Sequence, residues 1–382
     1  MKKLLLSSLI GLALSASASA QTVLRLTGST AFRAATHNAI KNIMGPSVTY
    51  GFTGSTLGGA GQAIFTGTVG ANPVIIKTSW SGAVGGVQTV AGSLNVNFLP
   101  NSTTQSGGAG TSGAATGTEA AIPDVGMADQ YQSSTPFNAP PYVTLVYTTV
   151  GVVPFKWVAS NGTPAGVTNI TTQQAQSLWG AGEIPLAFFT GSSADHATKL
   201  FATGRDPDSG TRVITFAESG IGIFNGVLQY QPTVSGTNVA SHIPWPQTTV
   251  NGIVFTQGNG GYNSGGTLAG VMRNTTTGIG GHYITYLGLS DANTATAPTG
   301  TGAGPARELT WNGVPYSLSN VKEGLYTFWG YEHLTYRSSL AGVQKNVADT
   351  LALQIINVDS PVLLSDMQVS RQNDGSSVGA NY

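Results

Sequence analysis

The 382-residue chain has no cysteine and few charges, 16 basic and 16 acidic. The first lack excludes disulfides and a thiol-linked lipid anchor. The fold must therefore rest on its core, and a chain this long can bury one and has room for two domains. The second lack excludes a nucleic-acid partner, because a neutral, charge-poor chain has no basic surface for a phosphate backbone. Long apolar runs are missing too. No stretch after the N-terminus approaches ~18 residues, so no stable membrane insertion is expected. His37, His196, His242, His282 and His333 are scattered, with no i, i+4 pair and no acidic partner pattern. No Gly-x-Ser-x-Gly elbow occurs. Neither a metal, a cofactor nor catalysis is expected. A serine-dependent esterase or phosphatase built on Ser209 and a distant histidine stays as one alternative.

What is present begins with MKKLLLSSLIGLALSASASA. Lys2 and Lys3, an apolar Leu4 to Leu14 and a small-residue Ala18-Ser19-Ala20 form an export signal over 1–20. The mature protein is expected to begin at Gln21 and to be periplasmic or secreted, without a lipid anchor.

Strands and helices alternate along the rest, which predicts an α/β fold. TVLRLTGS reads as a strand, and Phe32, Ala35, Ala39, Ile40 and Ile43 then share one helical face up to Gly45-Pro46. Residues 50–76 suggest a hairpin. Val84, Val87, Val90 and Ala91 mark a second helix. Residues 101–121 are low in complexity and are expected to form a flexible surface loop. YVTLVYTTVGVVPFKWVAS is β-branched and aromatic, favouring one or two buried strands. Thr171 with Gln174 forms a capping box. Residues 312–336 read as a strand and an aromatic-rich helix, and ADTLALQIINV as a C-terminal helix. Trp157, Trp179, Trp245, Trp311 and Trp329 have apolar neighbours and read as core, whereas Trp80 stands in a candidate ligand loop.

Three segments put small hydroxyls and glycine at the start of an apolar helix: TGSTAFRAA, SWSGAVGGV and DSGTRVITF. The first N–H groups of a helix lack intrahelical partners, and the macrodipole adds positive charge there. Such starts suit anions, although Ser and Thr also cap helices for purely structural reasons. Arg205 precedes the third, and its planar fork suits a tetrahedral oxyanion. A salt bridge to Asp206 or Asp208 is its plain structural role.

RDPDSGT carries an Arg-x-x-x-Ser-Gly-Thr signature. Together with TGSTAF, SWSGAVGGVQTV, PDVGMADQY and NITTQQAQSLWGAGEIP before it and GYNSGGTLAGVM after it, it makes the chain resemble the periplasmic phosphate-binding proteins of ABC transporters. The resemblance covers most of the mature chain, though only the Arg-to-Thr signature is close to diagnostic. It implies a two-lobed periplasmic-binding-protein fold, each lobe a mixed sheet flanked by helices, with the ligand cleft at the hinge. Lobe I would hold 21–150, lobe II 151–305, and 306–382 would return to lobe I and end in a helix. Carried over position by position, Ser29, Thr30 and Ala31 form the first ligand loop, Ser81 and Gly82 the second, and Arg205, Ser209, Gly210 and Thr211 the third. Asp129 takes the acidic position, with Asp124 as its rival, and Ser79 could replace Ser81. An ionised aspartate can only accept, so it suits phosphate, which keeps a proton at neutral pH, and not sulfate. The implied partners are inorganic phosphate or a related oxyanion and an ABC permease, with the protein a monomer. The other alternative is a secreted structural or surface protein whose binding has been lost.

Overall fold

The computed structural model describes residues 21–114 and 117–380. The expected export signal lies outside the described residues. The fold is mixed α/β and two-lobed, organised on one large sheet.

The strands of that sheet are β1 (Thr22–Gly28), β2 (Thr49–Phe52), β3 (Gln62–Val69), β4 (Asn72–Ser79), β5 (Thr111–Ser112), β6 (Val125–Ala128) and β7 (Leu145–Ala159). They continue with β8 (Asn169–Ile170), β9 (Glu183–Pro185), β10 (Lys199–Ala202), β11 (Gly281–Gly288), β12 (Arg307–Trp311) and β13 (Trp329–Arg337). The order is β9-β10-β11-β7-β13-β6-β1-β4-β3-β2-β5, with β12 joining β7 and β8 to β12.

The 15-residue β7 belongs to both lobes. Leu145 to Pro154 pair with β13 in the first lobe. Phe155 to Ala159 pair with β11, and the last three of them also with β12, in the second. The continuous β-branched and aromatic run is one strand because it is buried on both faces over most of its length. Trp157 anchors the junction, stacking on Trp311 and Phe328 and edge-on to Trp179.

The helices that matter are α1 (Arg33–Met44), α2 (Ala83–Ala91), α3 (Thr172–Ala181), α4 (Gly210–Glu218), α5 (Gly265–Met272), α6 (Leu289–Thr296) and α7 (Gly342–Gln354). The capping box on α3 forms as the sequence suggests. The apolar faces of α1 and α2 are buried at Ala39, Ile40, Val84, Val87, Val90 and Ala91.

Two expectations change. Part of the segment 101–121, Ser106 to Ser112, pairs with the sheet edge: Tyr50 and Ser106 exchange backbone hydrogen bonds of 3.0 and 3.2 Å, and Tyr50 Oη donates to Gly108 O at 2.7 Å. Low complexity hid this because backbone pairing needs no particular side chain. In 312–336 the aromatic part is the strand β13, and the only helix there is the short Leu318–Lys322. Aromatic rings at every second position, Trp329, Tyr331 and His333, fit a pleated surface better than a helix.

β1 and β4 are parallel, as are β1 and β6, and β10 and β11. Their C-terminal ends converge between the lobes, where open α/β sheets place ligands. Gly28 makes the first exit possible. Its φ is +120°, and a Cβ there would sit 2.0 Å from Met127 O. Gly28→Ala is expected to cost about 3 kcal/mol from strain and overlap together, read as a lower urea midpoint with unchanged slope.

Candidate functional site

A cleft of about 490 Å³ opens where those strands end. The first lobe contributes Thr30, Ala31 and Arg33 after β1 and Trp80 and Ser81 after β4. The second contributes Asp206 and Asp208 after β10, Ser264 to Gly266 at the start of α5, and Ser290 and Asp291 at the start of α6.

Three helices of eight or more residues begin at this cleft without a side-chain cap. These are α1 behind Phe32, α5 behind Ser264 and α6 behind Gly288. Helices α3 and α4, by contrast, are capped by Thr171 and Ser209. The cleft is thus faced by backbone donors whose intrahelical partners do not exist.

Arg205 lies just beneath. Its Nε donates to Tyr262 O at 3.0 Å and its Nη2 to Asn263 O at 3.1 Å. Nη1 points to Gly265, where an added Cβ would meet it at 3.2 Å and Asp291 Oδ2 at 2.0 Å. Glycine there lets a guanidinium and a carboxylate approach the same cleft wall. Among the described residues Arg205 forms no ion pair, so the plain salt bridge to Asp206 or Asp208 is not its role. Its charge still acts on Asp129, Asp206, Asp208 and Asp291.

Those acids are pushed towards the neutral form. Burial, then the neighbouring Asp208, takes Asp206 up to about 7. Burial raises Asp291, while Arg205 and Arg33 pull it back. Asp208 is raised by burial although Asn251 Nδ2 donates to it at 2.7 Å.

Asp208 has a second task. Its Oδ1 accepts from Gly85 N and its carbonyl from Val84 N at 3.2 Å, both in the first turn of α2. A second-lobe carboxylate therefore sits on a first-lobe helix start. An added Cβ on Gly82 would lie 2.5 Å from Asp208 O. Gly82 is covered by this contact, whereas Ser81 faces the cleft.

Behind the cleft lies a buried polar layer. Ser29, Asp129, Ser209 and Thr211 are each at most 2% exposed. Ser29 N donates to Met127 O at 2.8 Å, and Ser209 Oγ accepts from Arg212 N at 3.3 Å. Asp129 Oδ1 lies against Gly210, where an added Cβ would stand 1.7 Å away. Ser29 Oγ, Asp129 Oδ1 and both oxygens of Glu332 find no hydrogen-bond partner among the described residues. Ser29 is nonetheless near enough to favour the ionised form of both acids. Burial dominates, taking Asp129 up to about 7 and Glu332 well above the carboxylate range, the latter with help from Asp129.

The structure thus gathers Ser29, Asp129, Arg205, Ser209, Gly210 and Thr211 in one layer, with Thr30, Ala31 and Ser81 on the cleft side of it. Asp124 lies elsewhere, accepting from Arg25 N at 2.9 Å. Ser79 closes β4 opposite Thr27.

Arg33, Gly265, Ser290 and Asp291 escaped the sequence reading. Arg33 directly follows TGSTAF and could have been noticed as a charge in a charge-poor motif. Arg212 escaped too. It is buried and holds the carbonyls of Arg205 and Asn259, each at 3.1 Å. Trp80 lines the cleft, fixed by donation to His37 Nε2 at 2.9 Å. His37 donates through Nδ1 to Leu57 O at 2.9 Å, and burial lowers it to about 3, so it stays neutral.

No group of His, Cys, Asp or Glu among the described residues could hold a metal ion. No helix among them is long and apolar enough to cross a membrane.

No protein-family model matches the chain, and no curated protein does. Among solved structures it is similar to a substrate-binding protein from Clostridium perfringens with bound phosphate, at 12% identity and a TM-score of 0.48, covering 90% of this chain and 100% of that one. It is similar to an ABC-type phosphate transport receptor from Vibrio cholerae, at 14% identity and a TM-score of 0.48, covering 89% and 99%. It is also similar to the CcmR regulatory domain of Synechocystis in complex with 2-PG, at 11% identity and a TM-score of 0.41, covering 88% and 99%.

Proposed function

We propose that this is an exported, non-enzymatic solute-binding protein that takes phosphate, or a similar tetrahedral oxyanion, between its lobes and delivers it to an ABC permease. One observation carries the reading. Uncapped helix starts from both lobes meet at one cleft beside Arg33 and Arg205. Thr30, Ala31 and Ser81 would meet the ion, and Arg205 would supply counter-charge past Gly265. Ser29, Asp129, Ser209, Gly210 and Thr211 would form the buried floor. Carboxyls on the cleft wall accept when ionised, which suits an ion that keeps a proton and penalises one that does not.

Calorimetric titration tests this. Phosphate and arsenate are expected to bind and sulfate to bind far more weakly. Arg205→Ala is expected to weaken phosphate by about tenfold to a hundredfold, the worth of charge-assisted hydrogen bonds. Bound phosphate would also raise heat stability by about 2.7 kcal/mol at a hundredfold excess over Kd. Absence of both heat and stabilisation would overturn the reading.

Asp208 favours one other reading. A carboxylate of the protein's own already occupies the start of α2. A secreted structural protein that has lost its ligand could replace it in this way, and phosphate would then leave the unfolding temperature unchanged.

A further inference from the structure

We propose that the cleft takes its oxyanion as a monoester carrying a hydroxylated tail, a polyol phosphate, in preference to the bare ion. This rests on the oxyanion reading above and narrows its ligand class.

The first ground is size. The cleft measures about 490 Å³. One phosphorus and four oxygens fill a small part of that. Clefts of roughly 300–1,000 Å³ ordinarily hold organic ligands.

The second ground is that the lobes already touch. Asp208 of the second lobe accepts from Gly85 and Val84 of the first, and Gln88 Nε2 of the first donates to Asn251 O of the second at 3.1 Å. The volume is therefore that of a cleft with its two walls hydrogen-bonded to each other. Closing further to wrap a bare ion would drive Asp208 into Gly82, where the approach is already close.

The third ground is the chemistry of the lining. Thr30, Ser81, Ser264 and Ser290 bring hydroxyls, and Asp206 and Asp291 bring carboxyls. Asp206 Oδ1 accepts from Asp208 N at 3.2 Å, which uses part of its capacity. Asp291 lies in the first turn of α6 and forms no ion pair with the guanidiniums near it. Arg205 and Arg33 stand near it, pulling against its burial, and no hydrogen-bond donor reaches it among the described residues. Alcohol groups supply such donors, whereas an ammonium would be repelled by the two guanidiniums. A fully ionised oxyanion pressed against Asp291 would be repelled as well, so the ion belongs at the start of α1 with the tail towards Asp291.

Calorimetry on the full mature chain at about pH 6, where about half of a phosphate monoester still keeps a proton, with inorganic phosphate, glycerol 3-phosphate and glycerol tests this. Glycerol 3-phosphate is expected to bind at least about tenfold more tightly than phosphate, the worth of one added hydrogen bond to a charged acceptor. Glycerol alone is expected to give no heat. Asp291→Ala is expected to weaken the ester about tenfold more than it weakens the free ion. Phosphate binding as tightly as the ester would overturn this inference and leave the oxyanion reading standing. Equal losses for both ligands in Asp291→Ala would overturn the assignment of the tail to Asp291. Binding of neither ligand would overturn both readings.

Discussion

Asp129→Asn is expected to make the ligand-free protein more stable at pH 8, by up to about 4 kcal/mol, with little effect near pH 4. Asp129 is 1% exposed, and burial takes its carboxyl from 3.8 to about 7. Unfolding returns the side chain to water and to its ordinary value. Between those two pH values the folded protein holds a proton that the unfolded chain has released, so stability is full below about pH 4 and falls as pH rises through about 7. Roughly three pH units of separation, at about 1.36 kcal/mol each, give the figure. An amide of the same shape carries no such penalty. It also has a neighbour to serve. Ala128 pairs with His333 across β6 and β13, which brings Asp129 and Glu332 alongside each other one step on. Burial first, and Asp129 second, keep Glu332 in its protonated form, and an asparagine amide can donate to its unpartnered oxygen. Urea unfolding of both proteins at pH 4, 6 and 8 reads the difference. A variant no more stable than the parent at pH 8 would show that Asp129 ionises freely in the folded protein. A protein that tolerates such a group in its core gives up stability at a site used for something else.

Local signals in the sequence reached the elements they govern. The capping box of α3, the apolar faces of α1 and α2 and the β-branched run of β7 each depend on neighbours within a few residues, and each was legible. β13 was misread because its aromatics suit either structure until a sheet is there to receive them. The pairing of Ser106 and Gly108 with Tyr50 was invisible because on their side it runs through backbone atoms. The site divides in the same way. Thr30, Ala31, Ser81 and Arg205 stand in recognisable motifs. Gly265 stands in GYNSGGTLAGVM with no ligand role to mark it, Asp291 stands in no motif, and they join Arg33 only because β1 and β11 end at the same crevice. The contact of Asp208 with Gly85 could not be read either, since it spans the lobes and looks locally like an ordinary loop aspartate.

Arg212→Met is expected to destabilise the protein by about 3–5 kcal/mol and to abolish phosphate binding through Arg205, although Arg212 does not line the cleft. Arg212 is 5% exposed, and its guanidinium has no carboxylate partner among the described residues. Its Nη1 donates to Arg205 O and Asn259 O at 3.1 Å each, and its Nη2 to Asn259 Oδ1. It also packs over Phe216, 4.8 Å from the ring centre. Methionine keeps that packing and removes every donor. Several buried acceptors then lose a partner at about 1–3 kcal/mol apiece, partly offset because a cation no longer has to be buried. Gln229 Nε2 still donates to Arg205 O at 3.3 Å, so the loop loosens at Asn259 more than at Arg205 itself. That is enough to matter for binding. Tyr262 and Asn263, whose carbonyls aim the Arg205 fork, follow Asn259 by only a few residues. Arg212→Lys is expected to recover little, because one ammonium cannot reproduce a planar fork that serves the carbonyls and the Asn259 amide at once. Urea midpoints for the two variants, with phosphate titrations on whatever fraction stays folded, decide the point. A stable Arg212→Met protein that bound phosphate normally would show that the Arg205 loop is held in place by the rest of its hydrogen bonds alone.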